Sequence, residues 1–180
     1  MKKIVVIYES KYGFTKRYAQ WIAEELHCPL FERKTLDPQQ LHTYDVIIYG
    51  GGLYAGGMSG LKQFSKNQII FSDKQLILFT CGLADPNNPE NIATIRRSLA
   101  KILQPEMRSR TQIFHLRGGI DYARLTLVHR SMMSMLRKAL MKKDANSLRE
   151  EDRQLLDTYG KHVDFTDRAS IQPLIQYVMS

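Results

Sequence analysis

The chain has 180 residues, of which 43% are hydrophobic, and this size and composition suit one domain with a substantial buried core. We therefore expect residues 1–180 to form a single domain. Two cysteines without Cys-x-x-Cys spacing, Cys28 and Cys81, argue against a disulfide framework or a zinc site, so no metal is predicted. No apolar stretch approaches the roughly 20 residues needed to cross a bilayer. The first apolar run is interrupted too early for a signal peptide, which predicts a cytoplasmic protein.

The net charge of +8 and the isoelectric point near 9.5 predict a partner that carries negative charge. The basic residues do not alternate with aromatic residues in a nucleic-acid-binding motif, so no nucleic acid is expected. A membrane surface or an anionic substrate is the expected partner.

The first predicted strand, residues 4–8, is an apolar run of the kind buried on both faces of a parallel sheet. A turn rich in hydroxyl groups follows, and then an amphipathic helix. Ser10 and Thr15 offer hydroxyl donors, and Gly13 lets the backbone approach an anion closely. The alternative is that Ser10 or Thr15 only caps the helix. The ordered set after a strand favours a phosphate site, and the absence of the P-loop and dinucleotide patterns favours a monophosphate.

The turn Ser10-x-Tyr12-Gly13-x-Thr15 resembles the phosphate loop of flavodoxins, Thr/Ser-x-Thr/Tyr-Gly-x-Thr. The resemblance implies that the bound mononucleotide is FMN. Lys11 either adds a charge to this site or faces water. The predicted phosphate-loop residues are Ser10, Lys11, Tyr12, Gly13, Phe14 and Thr15.

The rest of the core alternates strands with helices, a pattern that predicts a parallel sheet covered on both faces. We predict a flavodoxin-like three-layer α/β/α sandwich with a five-stranded parallel sheet of order 2-1-3-4-5 and a helical insertion after or within strand five. The predicted strands are residues 4–8, 29–33, 44–50, 75–80 and 111–116.

Three loops, 9–15, 50–57 and 80–86, are expected to meet at the carboxyl ends of the strands, where such sheets bind their ligands. The glycines of the second loop predict unusual backbone freedom, and Tyr54 offers a flat face that suits a flavin ring. The alternative is that Tyr54 packs on its neighbours. The third loop is assigned to the pyrimidine edge of the flavin from its position alone. The predicted contacts in these two loops are Gly51, Gly52, Leu53, Tyr54, Ala55, Thr80, Cys81, Gly82 and Leu83.

No protein side chain is predicted to be catalytic. Gly50 occupies the position where a response-regulator receiver needs a carboxylate, which argues against phosphotransfer. His115 and His129 lie in apolar surroundings without a neighbouring nucleophile, a setting more typical of packing than of catalysis. Any chemistry is therefore expected to reside in the cofactor.

A helical insertion is predicted at residues 121–160, where residues 122–143 contain no acidic side chain. Apolar residues recur at helical spacing as one stripe, which favours burial in the protein's own core. The residues of this stripe are Leu125, Val128, Met132, Met135, Leu136 and Ala139. The alternatives are a wall of a substrate entrance, an anionic membrane contact or a homodimer interface. Ser147 is predicted to cap a second helix, and Pro173 to lie in the first turn of a closing helix. The basic residues predicted to contact substrate or membrane are Arg124, Arg130, Arg137 and Lys138.

The order of motifs in the second half resembles the menaquinone-dependent protoporphyrinogen IX dehydrogenases. These motifs are residues 117–122 (RGGIDY), the basic Met-rich helix, and residues 163–167 (VDFTD) before the last helix. The resemblance implies an oxidoreductase that passes electrons from a porphyrinogen through FMN to a quinone at the membrane. The alternatives are a non-enzymatic flavodoxin that carries electrons between protein partners, and a flavodoxin-like interaction module without FMN.

Overall fold

A parallel sheet of five strands, order β2-β1-β3-β5-β6, forms the centre of the computed structural model, which describes residues 2–54, 57–66 and 71–180. Numbering only these five strands along the chain gives 2-1-3-4-5, which confirms the predicted flavodoxin-like α/β fold. In chain order the strands and α-helices are β1 Ile4–Glu9, α1 Phe14–Glu25, β2 Leu30–Glu32, β3 Val46–Tyr54, β4 Gly57–Met58, α2 Leu61–Phe64, β5 Gln75–Gly82, α3 Pro89–Ala100, α4 Pro105–Arg110, β6 Gln112–Arg117, β7 Gly119–Asp121, α5 Leu127–Met141, α6 Glu150–Thr158, β8 His162–Asp164 and α7 Gln172–Met179.

Helices cover both faces of the sheet and make two hydrophobic cores. Alternate residues of β1 point to opposite faces, so Val6 packs with α1 and α7 while Val5 and Ile7 pack with α2, α3 and α4. All three side chains are fully buried. Both faces of the central strands are therefore apolar, as the β-branched runs predict. Because the helices cover the two faces, the carboxyl ends of the strands remain open at one end of the sheet.

The predicted loop at residues 50–57 is wrong in its first half, because β3 continues to Tyr54. Its last residues pair in antiparallel register with β4, Leu53 opposite Met58. The glycines here serve close packing rather than backbone freedom. A Cβ on Gly50 would collide with the Phe79 ring, and a Cβ on Gly52 would lie 2.7 Å from the Tyr54 ring. The positive backbone φ angles among the described glycines are at Gly13, Gly60 and Gly160 instead.

A small antiparallel ribbon of β7 and β8 carries α5 and α6 between its strands. The Phe165 N–H donates to the Gly118 carbonyl at 3.0 Å, and Arg17 of α1 forms an ion pair with Asp164 at 2.5 Å. These contacts fix the ribbon to the core. The closing helix α7 contains Pro173 in its first turn, as predicted.

The predicted cap at Ser147 is wrong. The Ser147 hydroxyl donates to the Asp144 carbonyl within a preceding 3-10 turn, so it has no role at the start of α6. The helix begins at Glu150 with Arg149 as its cap, and the Asp152 carboxylate accepts the Arg149 N–H. Only one half of a capping box therefore exists, two residues later than the Ser-x-x-Glu pattern indicates, because the Arg149 guanidinium cannot accept an N–H of the first turn.

Burial of the α5 apolar stripe in the protein's own core, the favoured interpretation, is also wrong. Of the residues in α5 only Leu140 is buried, whereas Leu127 is 81% and Met135 is 63% exposed. The physical reason is that the β7–β8 ribbon carries α5 to the end of the sheet instead of onto a face. Among the residues described, no helix is long and apolar enough to span a membrane.

Candidate functional site

The three predicted loops converge on a cavity of about 390 Å³ at the carboxyl ends of β1, β3 and β5. This volume lies in the range of small-molecule sites, and an end-of-sheet position is where open α/β sheets bind ligands. The first loop and the start of α1 form one side, the end of β3 another, and the end of β5 the floor. The predicted site residues that line the cavity are Tyr12, Phe14, Thr15, Leu53, Tyr54, Cys81, Gly82 and Leu83.

The first loop turns into α1 at Gly13. Gly13 caps the helix with φ 97°, a left-handed conformation that favours glycine, and its N–H donates to the Ser10 hydroxyl oxygen at 3.1 Å. No side chain caps the helix and no acidic residue lies in its first turn. The amides and the positive end of the helix dipole are therefore available to a bound phosphate.

Thr15 and Cys81 join the first loop to the floor of the cavity. Thr15 is 2% exposed, and its hydroxyl lies beside the Cys81 thiol, where it lowers the thiol pKa against the larger effect of burial. Burial raises the pKa of the Cys81 thiol to about 12. The thiol is therefore neutral near pH 7 and acts as a packing group rather than a nucleophile.

Thr80, although predicted as a site residue, does not line the cavity. Its hydroxyl lies 2.8 Å from Nδ1 of His115 on the neighbouring strand β6. Burial and the nearby Arg96 lower the pKa of His115 to about 4, so this histidine is neutral near pH 7. The pair is a packed polar contact within the sheet.

Several other predicted residues also lie off the cavity wall. Lys11 is exposed, whereas Gly51 and Gly52 are buried within β3 beneath Met58 and Tyr54. Ser10 and Gly13 shape the first loop from behind its lining side chains. Ala55 lies outside the described residues.

Three rings meet at one end of the cavity: those of Tyr12, Tyr54 and His129. Tyr54 and His129 stack with centroids 5.4 Å apart, while Tyr12 meets the edge of Tyr54 at 5.9 Å. The Tyr12 hydroxyl oxygen lies 2.6 Å from Nδ1 of His129. Burial raises the pKa of Tyr54 to about 12. The cluster connects the first loop, the end of β3 and α5, which are far apart in the sequence.

Helix α5 supplies an apolar wall that the sequence analysis identified only in part. Leu125 and Met132 belong to the predicted stripe, but His129 and Met133 do not. At about 3.6 residues per turn, the lining positions 125, 129, 132, 133 and 136 and the predicted stripe occupy helical arcs of equal width, and the lining arc is rotated by about 60° towards Met133. His129 was interpreted as a packing residue and left out of the stripe because its side chain is polar. The cavity-lining residues of this segment are Leu125, His129, Met132, Met133 and Leu136.

The predicted basic contacts lie on the outside of the insertion. Arg124, Arg130, Arg137 and Lys138 are exposed, and none of them lines the cavity. The Arg130 guanidinium donates to the Tyr122 carbonyl at 3.3 Å, and that of Arg137 lies 4.6 Å from the centroid of the Tyr159 ring. These four basic side chains therefore lie on the surface, outside the cavity.

Arg117, at the end of β6, links the third loop to α6 and was not predicted as a site residue. Its guanidinium donates to the Leu83 carbonyl at 3.2 Å and to Gln154 Oε1 at 3.0 Å. It also lies 3.9 Å from the centroid of the Phe165 ring and 3.8 Å from an Asp85 oxygen. These contacts hold the floor and the outer wall of the cavity in one arrangement.

Comparison with protein families gives one match, in which a model described as the flavodoxin domain covers residues 5–147. Curated protein sequences give no match. A WrbA-like flavodoxin from Agrobacterium tumefaciens is 23% identical over 63% of this chain and 82% of its own, with a TM-score of 0.43. A flavodoxin from the domain Archaea is 14% identical over 86% of this chain and 94% of its own, with a TM-score of 0.41. A flavoprotein from Lactobacillus acidophilus, solved in complex with FMN, is 15% identical over 65% of this chain and 93% of its own, with a TM-score of 0.44.

Proposed function

The chain belongs to the flavodoxin domain family, and on that premise we propose that it binds FMN in the cavity at the end of the sheet and acts as an oxidoreductase. The observation that carries the proposal is the junction of two chemically different regions. An anion-binding helix start at Gly13 opens directly onto an apolar cavity. A ligand with a phosphate at one end and a flat ring system at the other meets both requirements.

The residues around the cavity suit FMN in chemistry as well as in position. The hydroxyl groups of Ser10 and Thr15 and the amides after Gly13 would hold the phosphate. Tyr54 would cover one face of the ring system, and backbone groups of residues 81–83 would meet its polar edge. When bound, FMN supplies hydride or single-electron transfer. The neutral Cys81 thiol and the apolar wall would give that chemistry a largely apolar surrounding.

We further propose that the substrate is a porphyrinogen and that the electron acceptor is a quinone. The support is the α5 wall, where Met132, Met133 and Leu136 present flexible, polarizable side chains that adapt to a flat apolar molecule. A pure electron carrier has no need for a second apolar wall over its flavin. The resemblance of the second half of the chain to the menaquinone-dependent protoporphyrinogen IX dehydrogenases points the same way.

The outer face of α5 is the proposed contact with a membrane that contains the quinone. Exposed apolar side chains at Leu127 and Met135 alternate with Arg130 and Lys138, a composition that suits an anionic lipid surface. Charge reversal at Arg130 and Lys138 should weaken sedimentation with vesicles of phosphatidylglycerol and leave FMN binding unchanged. If sedimentation is unchanged and the wild type is a dimer by ultracentrifugation, the face binds a second copy instead.

The first test is to purify the protein without added cofactor, record its visible spectrum and identify any released chromophore by chromatography. Bound FMN makes oxidation of protoporphyrinogen with a quinone acceptor the next assay. FMN without oxidation of the porphyrinogen would favour the electron carrier, which should instead exchange electrons with a partner protein. A colourless protein that does not bind added FMN would overturn the proposal and favour an interaction module.

A further inference from the structure

The hydroxyl of Tyr12 joins the first loop to two groups in the first turn of α5. The backbone N–H of Thr126 donates to the hydroxyl oxygen at 3.4 Å, and Nδ1 of His129 lies 2.6 Å from the same oxygen. A phenol oxygen has two lone pairs and carries one hydrogen, so the Tyr12 hydroxyl accepts from Thr126 and forms a second hydrogen bond with His129 in either tautomer of the imidazole.

This connection matters because α5 has little other anchorage. Within the helix only Leu140, near its far end, is buried, and the outward residues Leu127 and Met135 are largely exposed. Among the described residues, the bond to Tyr12 and the stacking of His129 on Tyr54 join the near end of α5 to the first loop and to β3. Breaking them would free the end of α5 that stands beside the phosphate loop.

We propose that His129 is a positioning residue that latches α5 over the cavity through Tyr12 and thereby sets how fast a ligand enters and leaves. The use of FMN as the probe rests on the proposed function, but the latch itself does not. The stacked Tyr54 aligns the imidazole, and the Tyr12 hydroxyl locks it. Because the three rings form one end wall of the cavity, a ligand that spans the cavity reaches them.

Amide hydrogen exchange of residues 127–141 in the protein without ligand tests the latch independently of FMN. Tyr12→Phe and His129→Phe keep the rings but remove the hydrogen bond, and each should speed exchange about fivefold, equivalent to about 1 kcal/mol. His129→Gln offers an amide oxygen to the Tyr12 hydroxyl, so exchange should stay near that of the wild type at pH 7. Met141→Ala, at an exposed position near the far end of α5, is the matched control and should change nothing.

Stopped-flow binding of FMN supplies the second readout. Tyr12→Phe and His129→Phe should each raise the association and dissociation rates about fivefold, and the double variant should be no faster than either single variant. Unchanged amide exchange in both single variants, or a double variant whose effect is the product of the two, would overturn the latch. If the wild type binds no FMN, the proposed function fails, whereas the amide-exchange arm still decides whether the latch exists.

Discussion

Replacement of Thr15 by valine tests whether the phosphate lies at the start of α1. Valine has nearly the same shape, so the 2%-exposed position remains filled and the main change is the loss of one hydroxyl. In the protein without ligand that hydroxyl faces the Cys81 thiol, a weak partner, so the free energy of unfolding should fall by about 1 kcal/mol or less. A hydrogen bond to a charged phosphate contributes roughly 1.5–3 kcal/mol. The dissociation constant for FMN should therefore rise roughly 10-fold to 150-fold.

The assay is titration of the protein with FMN, followed by the quenching of flavin fluorescence, with urea unfolding measured in parallel. Thr80→Val is the matched control, since it makes the same chemical change at a buried threonine whose hydroxyl faces His115. It should leave FMN affinity unchanged while costing about 1 kcal/mol in stability. Equal weakening of FMN binding by both variants, or undiminished affinity in Thr15→Val, would refute the assignment of the phosphate site.

Two further predictions concern the frame of the cavity. Arg117→Met keeps the packing on Phe165 but leaves the Leu83 carbonyl without its donor. The free energy of unfolding, measured by urea titration, should therefore fall by about 1–3 kcal/mol. An unchanged midpoint would mean that the Arg117–Leu83 hydrogen bond contributes nothing to stability. Burial and Arg96 lower the pKa of His115 to about 4, so the unfolded chain takes up the proton first and stability should fall as the pH drops from about 6.5 towards 4. His115→Gln should lose less stability than the wild type between pH 7 and pH 5, and an equal loss would contradict the assignment.

The parallel core and the first loop could be predicted because their signals are local. A β-branched run such as residues 4–8 can be buried on both faces only in a sheet covered on both sides, and the resemblance of the following turn to the flavodoxin phosphate loop supplies the correct strand order. The start of α1 was likewise readable, since the helix begins at Phe14, within the predicted turn and directly after Gly13. In both cases the chain specifies the structure within about ten residues.

The end of β3 shows why other parts could not be predicted. A run of three glycines is locally a loop signal. Here, however, each glycine packs against a side chain that comes later in the sequence. Gly50 lies under Phe79 of β5, and Gly51 lies under Met58 of β4. Glycine therefore provides backbone flexibility in one fold and close packing of side chains in another. Only the residues that pack against the glycine distinguish the two.

The α5 wall reveals a more general limit. Helical periodicity establishes that one face is apolar, but a protein core, a ligand cavity and a membrane all require the same apolar face. What decides between them is the β7–β8 ribbon, whose three-residue strands pair Gly119 with Asp164 and so carry α5 beyond the end of the sheet. That pairing joins residues 45 positions apart, and the contact of His129 with Tyr12 spans 117 positions. Because a histidine is polar, it was left out of the apolar stripe. Yet the α5 wall needs a polar side chain at the position where it hydrogen-bonds to the first loop.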